Sequence, residues 1–386
     1  VNELSPQINR FRTDWMPPLL TGLVMFVVST TSFYLPVYFK ETLGFSGTQI
    51  GLLFALQAVT GLLAAFPTGL GNDRITSRTL AGAGIFVQAI GLALMALVKS
   101  FFPYLVVFFI WTLANNVFRL SMDLQVLKTD DGLRTGRRIA WYQTMRFGGA
   151  GLGIIVAGYL LYAWDFQKTF MAVAVALTVL LIIVRLLVPT PVARANLAEY
   201  RADFFTPRVI LFTGWLFLFS THWGAEQTCY SLFLRSHFHL ELHQMGWYMC
   251  AEFIALIAAL LLAAPYVDKQ FTIGKLALYG LLASGIGHVG MALTPLAFSV
   301  MFRMLHGVGD GFIFFVFFLG AFRLFNIQRM GGNAGLLQFS MMGGAILGAL
   351  VYSPIGERFG YGLPFWISGG MLLLLTLPLL FRPRRA

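Results

Sequence analysis

Apolar residues run in long uninterrupted blocks along this chain, separated by short polar loops. Twelve blocks are separable, at 15–39, 47–70, 78–98, 102–124, 139–162, 168–188, 209–234, 245–266, 273–293, 296–320, 333–353 and 361–381. Each is near the ~20 residues a helix needs to cross a hydrocarbon core. The runs are continuous, which excludes the alternating strands of a membrane β-barrel. The pattern therefore predicts an all-α integral membrane protein with twelve transmembrane helices. One long polar stretch, 190–207, divides the blocks six and six. It is expected to be a linker between an N-terminal six-helix bundle over 1–189 and a C-terminal one over 208–386.

The two sets of six are written alike. A shift of 195 residues lays Gln49 and Gly51 on Gln244 and Gly246, and Asp73-Arg74 on Asp268-Lys269. The same shift lays Gln143, Gly148, Gly149 and Gly153 on Gln338, Gly343, Gly344 and Gly348, and Phe170 on Phe365. A parallel repeat in a hydrophobic chain predicts two like-folded, pseudo-symmetric halves.

Composition agrees and removes alternatives. Charged residues make up 11% of the chain, against about 25% in soluble domains. The net charge of +11 raises the possibility of a nucleic-acid partner. With the N-terminus placed in the cytoplasm, however, 19 of the 27 Lys and Arg fall on the cytoplasmic side, 5 opposite and 3 within spans. That asymmetry is the positive-inside bias of a membrane protein with both termini in the cytoplasm. No nucleic-acid partner is expected. Cys229 and Cys250 lie in apolar runs and read as packed thiols. The first block is too long for a secretory signal core and reads as an uncleaved span.

The loop after the second block reads Gly69-Leu70-Gly71-Asn72-Asp73-Arg74-Ile75-Thr76-Ser77-Arg78. A glycine, then Asp-Arg four residues on, then a further basic residue resembles the signature loop of the major facilitator superfamily. Thr76 and Ser77 depart from its usual Gly and basic residue. Gly69 permits close helix approach, and Asp73 suits a helix N-terminus or a basic side chain. Gly69, Asp73, Arg74 and, in the second copy, Asp268 are thus candidates for a cytoplasmic latch. The resemblance implies a membrane transporter of bacterial inner-membrane type, not an enzyme, acting as a monomer among lipids on a small-molecule substrate.

Ionisable groups inside spans cost about 2.5–3.5 kcal/mol each or more near the centre, so each needs a reason. Arg303, His306 and Asp310 lie at i, i+3 and i+7, one face of the tenth span, while Glu226 and Glu252 lie in the seventh and eighth. These five form a candidate proton-coupling group; the competing reading is a set of static ion pairs. Arg303 with His306 three residues on, then an acid, resembles the tenth span of lactose-permease-type proton symporters, and Glu252 resembles their eighth-span acid. The ends of the first two spans resemble related phenylpropionate permeases. Under this resemblance protons are the coupling ion and the proton gradient is the driving force, with no cofactor. Gln143, rather than Arg146, falls where the sugar permeases place an arginine, and the expected acid position of the tenth span is Gly309.

Thr31, Tyr34, Asn115, Asn116, Arg119, Gln143, Arg146 and Gln338 are candidate substrate-cavity residues. Arg119 and Asp123, at i and i+4, read more readily as a structural pair. His222, Trp223, His237, His239 and His243 read as a solvated interfacial cluster, and no metal site is expected. Two transport readings follow. One is proton-coupled uptake of a small organic solute such as a sugar or organic acid. The other is proton-driven efflux of amphiphiles, drugs or lipids, which 38 Phe and 15 Met would suit as an adaptable apolar lining.

Overall fold

The structure is a computed structural model and describes residues 12–32, 34–35, 38–45, 47–129, 135–192, 197–269 and 272–380. The described residues form helices at each of the twelve expected positions. In chain order these are α1 (Met16–Ser32), α2 (Gly47–Arg74), α3 (Ser77–Leu97), α4 (Phe101–Thr129), α5 (Thr135–Ala163) and α6 (Phe166–Val184). After a short helix α7 (Leu197–Phe204) in the linker come α8 (Pro207–Phe238), α9 (Leu242–Lys269), α10 (Ile273–Gly290), α11 (Leu296–Leu324), α12 (Met330–Phe359) and α13 (Leu363–Leu374), with a last turn α14 (Leu377–Leu380). Nine of the described helices are long and apolar enough to cross a membrane. The count is ten if α7 and α8, bent by 76° to each other, make one span. In the first block α1 is described as far as Ser32, and a wide helical turn occupies Tyr38–Thr42.

The chain packs as two compact units. One is made from Val1–Asp130, Thr144–Asp203 and Phe325–Phe339, the other from Asp131–Gln143, Phe204–Leu324 and Ser340–Ala386. The start of α12 therefore belongs with the first-half helices, and the start of α5 with the second-half ones.

Inside each unit the repeat appears as matching contacts. In the first, a side chain at Gly149 of α5 would strike the Gly22 carbonyl of α1, and one at Gly153 would strike the Phe26 carbonyl. In the second, Gly344 of α12 meets the Phe217 carbonyl of α8, and Gly348 the Thr221 carbonyl. Each pair maps on its counterpart by the same shift of 195. In lipid, helices gain no hydrophobic drive from meeting each other, so backbone contact through small residues supplies the packing.

The loop acids also match. Asp73, fully buried at the end of α2, accepts hydrogen bonds from the Gly331 and Gly332 N–H groups at 2.8 and 2.7 Å, where α12 begins. Lys128 Nζ donates to it at 2.7 Å and the Tyr200 hydroxyl at 2.8 Å. A carboxylate at a helix N-terminus meets the positive end of its dipole and otherwise orphaned donors. Burial first, then the Asp73 carboxylate, raises the Tyr200 hydroxyl well above its ordinary pKa, so it stays a donor. Gly69 admits the approach, since a side chain there would meet the Gly331 carbonyl. In the second unit Asp268 accepts the Gly136 N–H at 2.8 Å, at the start of α5, with Arg137 at 3.6 Å. Arg74 is exposed. Lys128, expected in a cytoplasmic loop, is instead buried with Asp73.

Two predictions follow from this packing. Gly149→Leu or Gly344→Leu overpacks a backbone contact and should cost about 1–3 kcal/mol, read as a lowered unfolding temperature in detergent; no shift in either variant would contradict the contact. Asp73→Asn leaves the Lys128 ammonium buried without its counter-charge, a loss of about 3–5 kcal/mol when a buried pair is broken. It should therefore lower the unfolding temperature more than Asp268→Asn, whose partner Arg137 is exposed, and equal shifts would contradict this reading.

Candidate functional site

The second unit carries a buried cluster of ionisable groups drawn from four helices. Positions four apart on α8 place His222 and Glu226 on one face, and positions four apart on α10 do the same for Ser284 and His288. Glu252 comes from α9, and Arg303, His306 and Asp310 from α11. Glycines let these helices meet at backbone distance. A side chain at Gly307 would strike Glu252; one at Gly309 would strike Ser284; one at Gly287 would strike the His306 backbone. That closeness lets short polar side chains reach across.

Arg303 is 1% exposed. Its two terminal nitrogens bond separate acids, Nη1 to Glu226 and Nη2 to Glu252. Its guanidinium also lies 4.3 Å from the centre of the Tyr230 ring, a cation–π contact. His306 Nε2 is 3.2 Å from Glu226 Oε1, and its Nδ1 is 2.9 Å from Ser284 Oγ. Ser284 donates to Asp310 at 3.0 Å and Trp223 Nε1 donates to it at 3.3 Å. The cluster thus holds three carboxylates and one guanidinium, which pairs with two of them. With the histidines neutral, two negative charges are left uncompensated in a medium where an isolated charge is expensive. Chemically, the cluster can take up protons or exchange one charge partner for another.

The structure brings all five candidate coupling residues, Glu226, Glu252, Arg303, His306 and Asp310, into one network. It adds His222, Ser284 and His288. His222 was expected in a solvated interfacial cluster and is instead fully buried, its ring 5.4 Å from those of His288 and His306. His237 and His239 are exposed, while the His243 side chain lies outside the described residues. His222 is one turn before Glu226 and faces with it. His288 carried the same signal as Glu252, an ionisable group inside an apolar block.

The cavity candidates of the first unit do not gather at one point. Asp123 accepts from Arg146 at 3.2 Å, so the fifth-span arginine joins the fourth-span acid. Asn116, Arg119, Asp123 and Gln338 line one small cavity with Gly61 and Ala65, of about 10 Å³, room for roughly one water. Thr31 and Tyr34 turn to backbone carbonyls, those of Val28 at 3.0 Å and Ile154 at 3.4 Å. Asn116 bonds its own helix at the Thr112 carbonyl, and Asn115 is half-buried on the same helix. Gln143, which packs with the second unit, is fully buried, and neither of its side-chain polar atoms has a hydrogen-bond partner.

Comparison with known proteins gives a consistent picture. Multidrug resistance protein MdtH of Aeromonas hydrophila is 25% identical over 295 residues, 73% of this chain and 72% of that one. The crystal structure of the human organic anion transporter MFSD10 superposes with a TM-score of 0.76 at 15% identity, covering 97% of this chain and all of that one. The proton:xylose symporter XylE gives 0.74 at 15% identity, over 97% of this chain and 95% of its own. The Escherichia coli transporter FucP in an outward conformation gives 0.72 at 12% identity, over 95% and 99%. At such identities these structures show the shared fold. The sequence profile described as Major Facilitator Superfamily matches residues 19–234 and 227–386, nearly the whole chain. With apolar helices in repeated sets, two helix-capping loop acids and a family profile over both halves, the chain belongs to the major facilitator superfamily and is a multi-pass membrane transporter.

Proposed function

We propose that this transporter works by alternating access and couples proton movement to uptake of a small organic solute, such as a sugar or organic acid. In this reading it acts as a monomer in the cytoplasmic membrane of a bacterium, with both termini inside, and no cofactor enters the scheme. The observation that carries the proposal is Arg303 held between Glu226 and Glu252, with His306 against the same Glu226. Protonating either acid removes a counter-charge from a buried guanidinium, so Arg303 must re-pair. A bound proton thereby changes which arrangement of the second unit is favoured, which is what coupling requires.

In the first unit, the Arg146–Asp123 pair with Arg119, Asn116 and Gln338 offers donors and acceptors to a hydroxylated or anionic solute. Room for one water means that these side chains must part to admit it. The second reading, proton-driven efflux of amphiphilic compounds, is favoured by the likeness to a protein named for multidrug resistance.

Glu252→Gln keeps the size of the side chain and removes its charge. In proteoliposomes it should abolish accumulation driven by a proton gradient while leaving solute counterflow. Accumulation retained at the normal level would sink the coupling role. The same assay separates the two readings: uptake moves solute with the imposed proton flow, efflux against it.

A further inference from the structure

Three buried imidazoles of the second unit converge, and their hydrogen bonds fix how. His222 Nδ1 is 2.5 Å from the Phe219 carbonyl, which only accepts, so this nitrogen carries the proton. Ser284 gives its hydroxyl proton to Asp310, so its oxygen accepts from His306 Nδ1 at 2.9 Å. Ser368 gives its own to the Pro364 carbonyl, so it accepts from His288 Nδ1 at 2.9 Å. In every case the neutral ring is the Nδ1–H form, and the Nε2 lone pair is left over. His222 and His288 Nε2 have no hydrogen-bond partner, His306 Nε2 faces Glu226 Oε1 at 3.2 Å, and all three side chains are fully buried.

The three Nε2 atoms lie beside two carboxylates. Glu226 Oε1 lies 3.2 Å from His306 Nε2 and 3.8 Å from His288 Nε2, and Asp310 Oδ2 lies 3.7 Å from His222 Nε2. One ligand atom each from His222, Glu226 and His306 falls within 4.8 Å of the others. An imidazole whose Nδ1–H is held by a carbonyl or hydroxyl, with Nε2 open, is the arrangement of a metal-ligating histidine and its outer partner. With the three acids ionised and the histidines neutral, the surplus of two negative charges equals the charge of one divalent ion.

We propose that His222, His306 and Glu226, with His288 as an adjoining ligand, form a site for a borderline divalent transition-metal ion of the Zn²⁺, Co²⁺ and Ni²⁺ class. Imidazole nitrogens with a carboxylate suit these ions, whereas Mg²⁺ prefers oxygen ligands. A tetrahedral ion with bonds near 2.0–2.1 Å needs ligand atoms about 3.3 Å apart, so the set closes inward on binding. Because the same atoms take protons, metal and protons compete. The site stands independently of the solute carried and of the transport role of Glu252.

The test is Co²⁺ titration of the untagged, purified transporter, followed by visible absorption. One Co²⁺ per chain should give the strong visible bands of a low-symmetry four-coordinate ion. Zn²⁺ should displace it, Mg²⁺ should not, and the apparent affinity should fall as pH is lowered. His222→Gln, or His288→Gln if the first does not fold, should weaken binding tenfold or more. The double variant His237→Gln/His239→Gln, which removes two exposed histidines, should bind as before. Absence of the bands, or bands that survive His222→Gln and His288→Gln but vanish in the double variant, would overturn the site.

Discussion

A guanidinium with 1% of its surface exposed, inside a span, sets the terms for the second unit. Arg303 cannot shed its charge, so every arrangement of its neighbours must supply counter-charge where it stands. Glu226 and Glu252 do so, one at each terminal nitrogen, and Tyr230 covers the face. The acids are themselves expensive to bury and are held in place by what they neutralise. His306, Ser284 and Asp310 extend the network from Glu226. Removing any one charge obliges the rest to re-pair.

The first unit shows what the same scaffold does where the matching positions carry no charge. The shift of 195 carries Arg303 and His306 onto Phe108 and Trp111, which are fully buried and stack with ring centres 5.6 Å apart. It carries Glu226 onto Thr31, which bonds its own helix, and Asp310 onto Asn115. The packing devices stay matched, with Gly149 and Gly344 against their neighbours' carbonyls and Asp73 and Asp268 on helix N-termini. At these matched positions one copy packs aromatic rings and the other ion pairs, on a common framework.

The framework was legible because each of its devices is local. An apolar block, a glycine at a fixed offset and an Asp in a short loop all announce themselves without knowledge of the partner. Arg303, His306 and Asp310 were legible together because they share one helix face. Ser284 was not legible, since a serine in an apolar block is unremarkable until glycines at 287 and 309 bring its helix against α11. Tyr200 and Lys128 were missed because burial depended on a distant partner, Asp73. His222 was misplaced by grouping it with His237 and His239 along the chain. Helical phase puts it with Glu226 instead, one turn away and facing inward.

The central claim is that the acids around Arg303 change protonation rather than remain fixed ion pairs. Infrared difference spectroscopy on the purified transporter reads the carboxyl stretch of a protonated buried acid directly. The account predicts a carboxyl band that titrates with pH in the native protein and is lost or altered in Glu252→Gln. A spectrum with no titrating buried carboxyl band, identical in the native protein and the variant, would show a static network and contradict it.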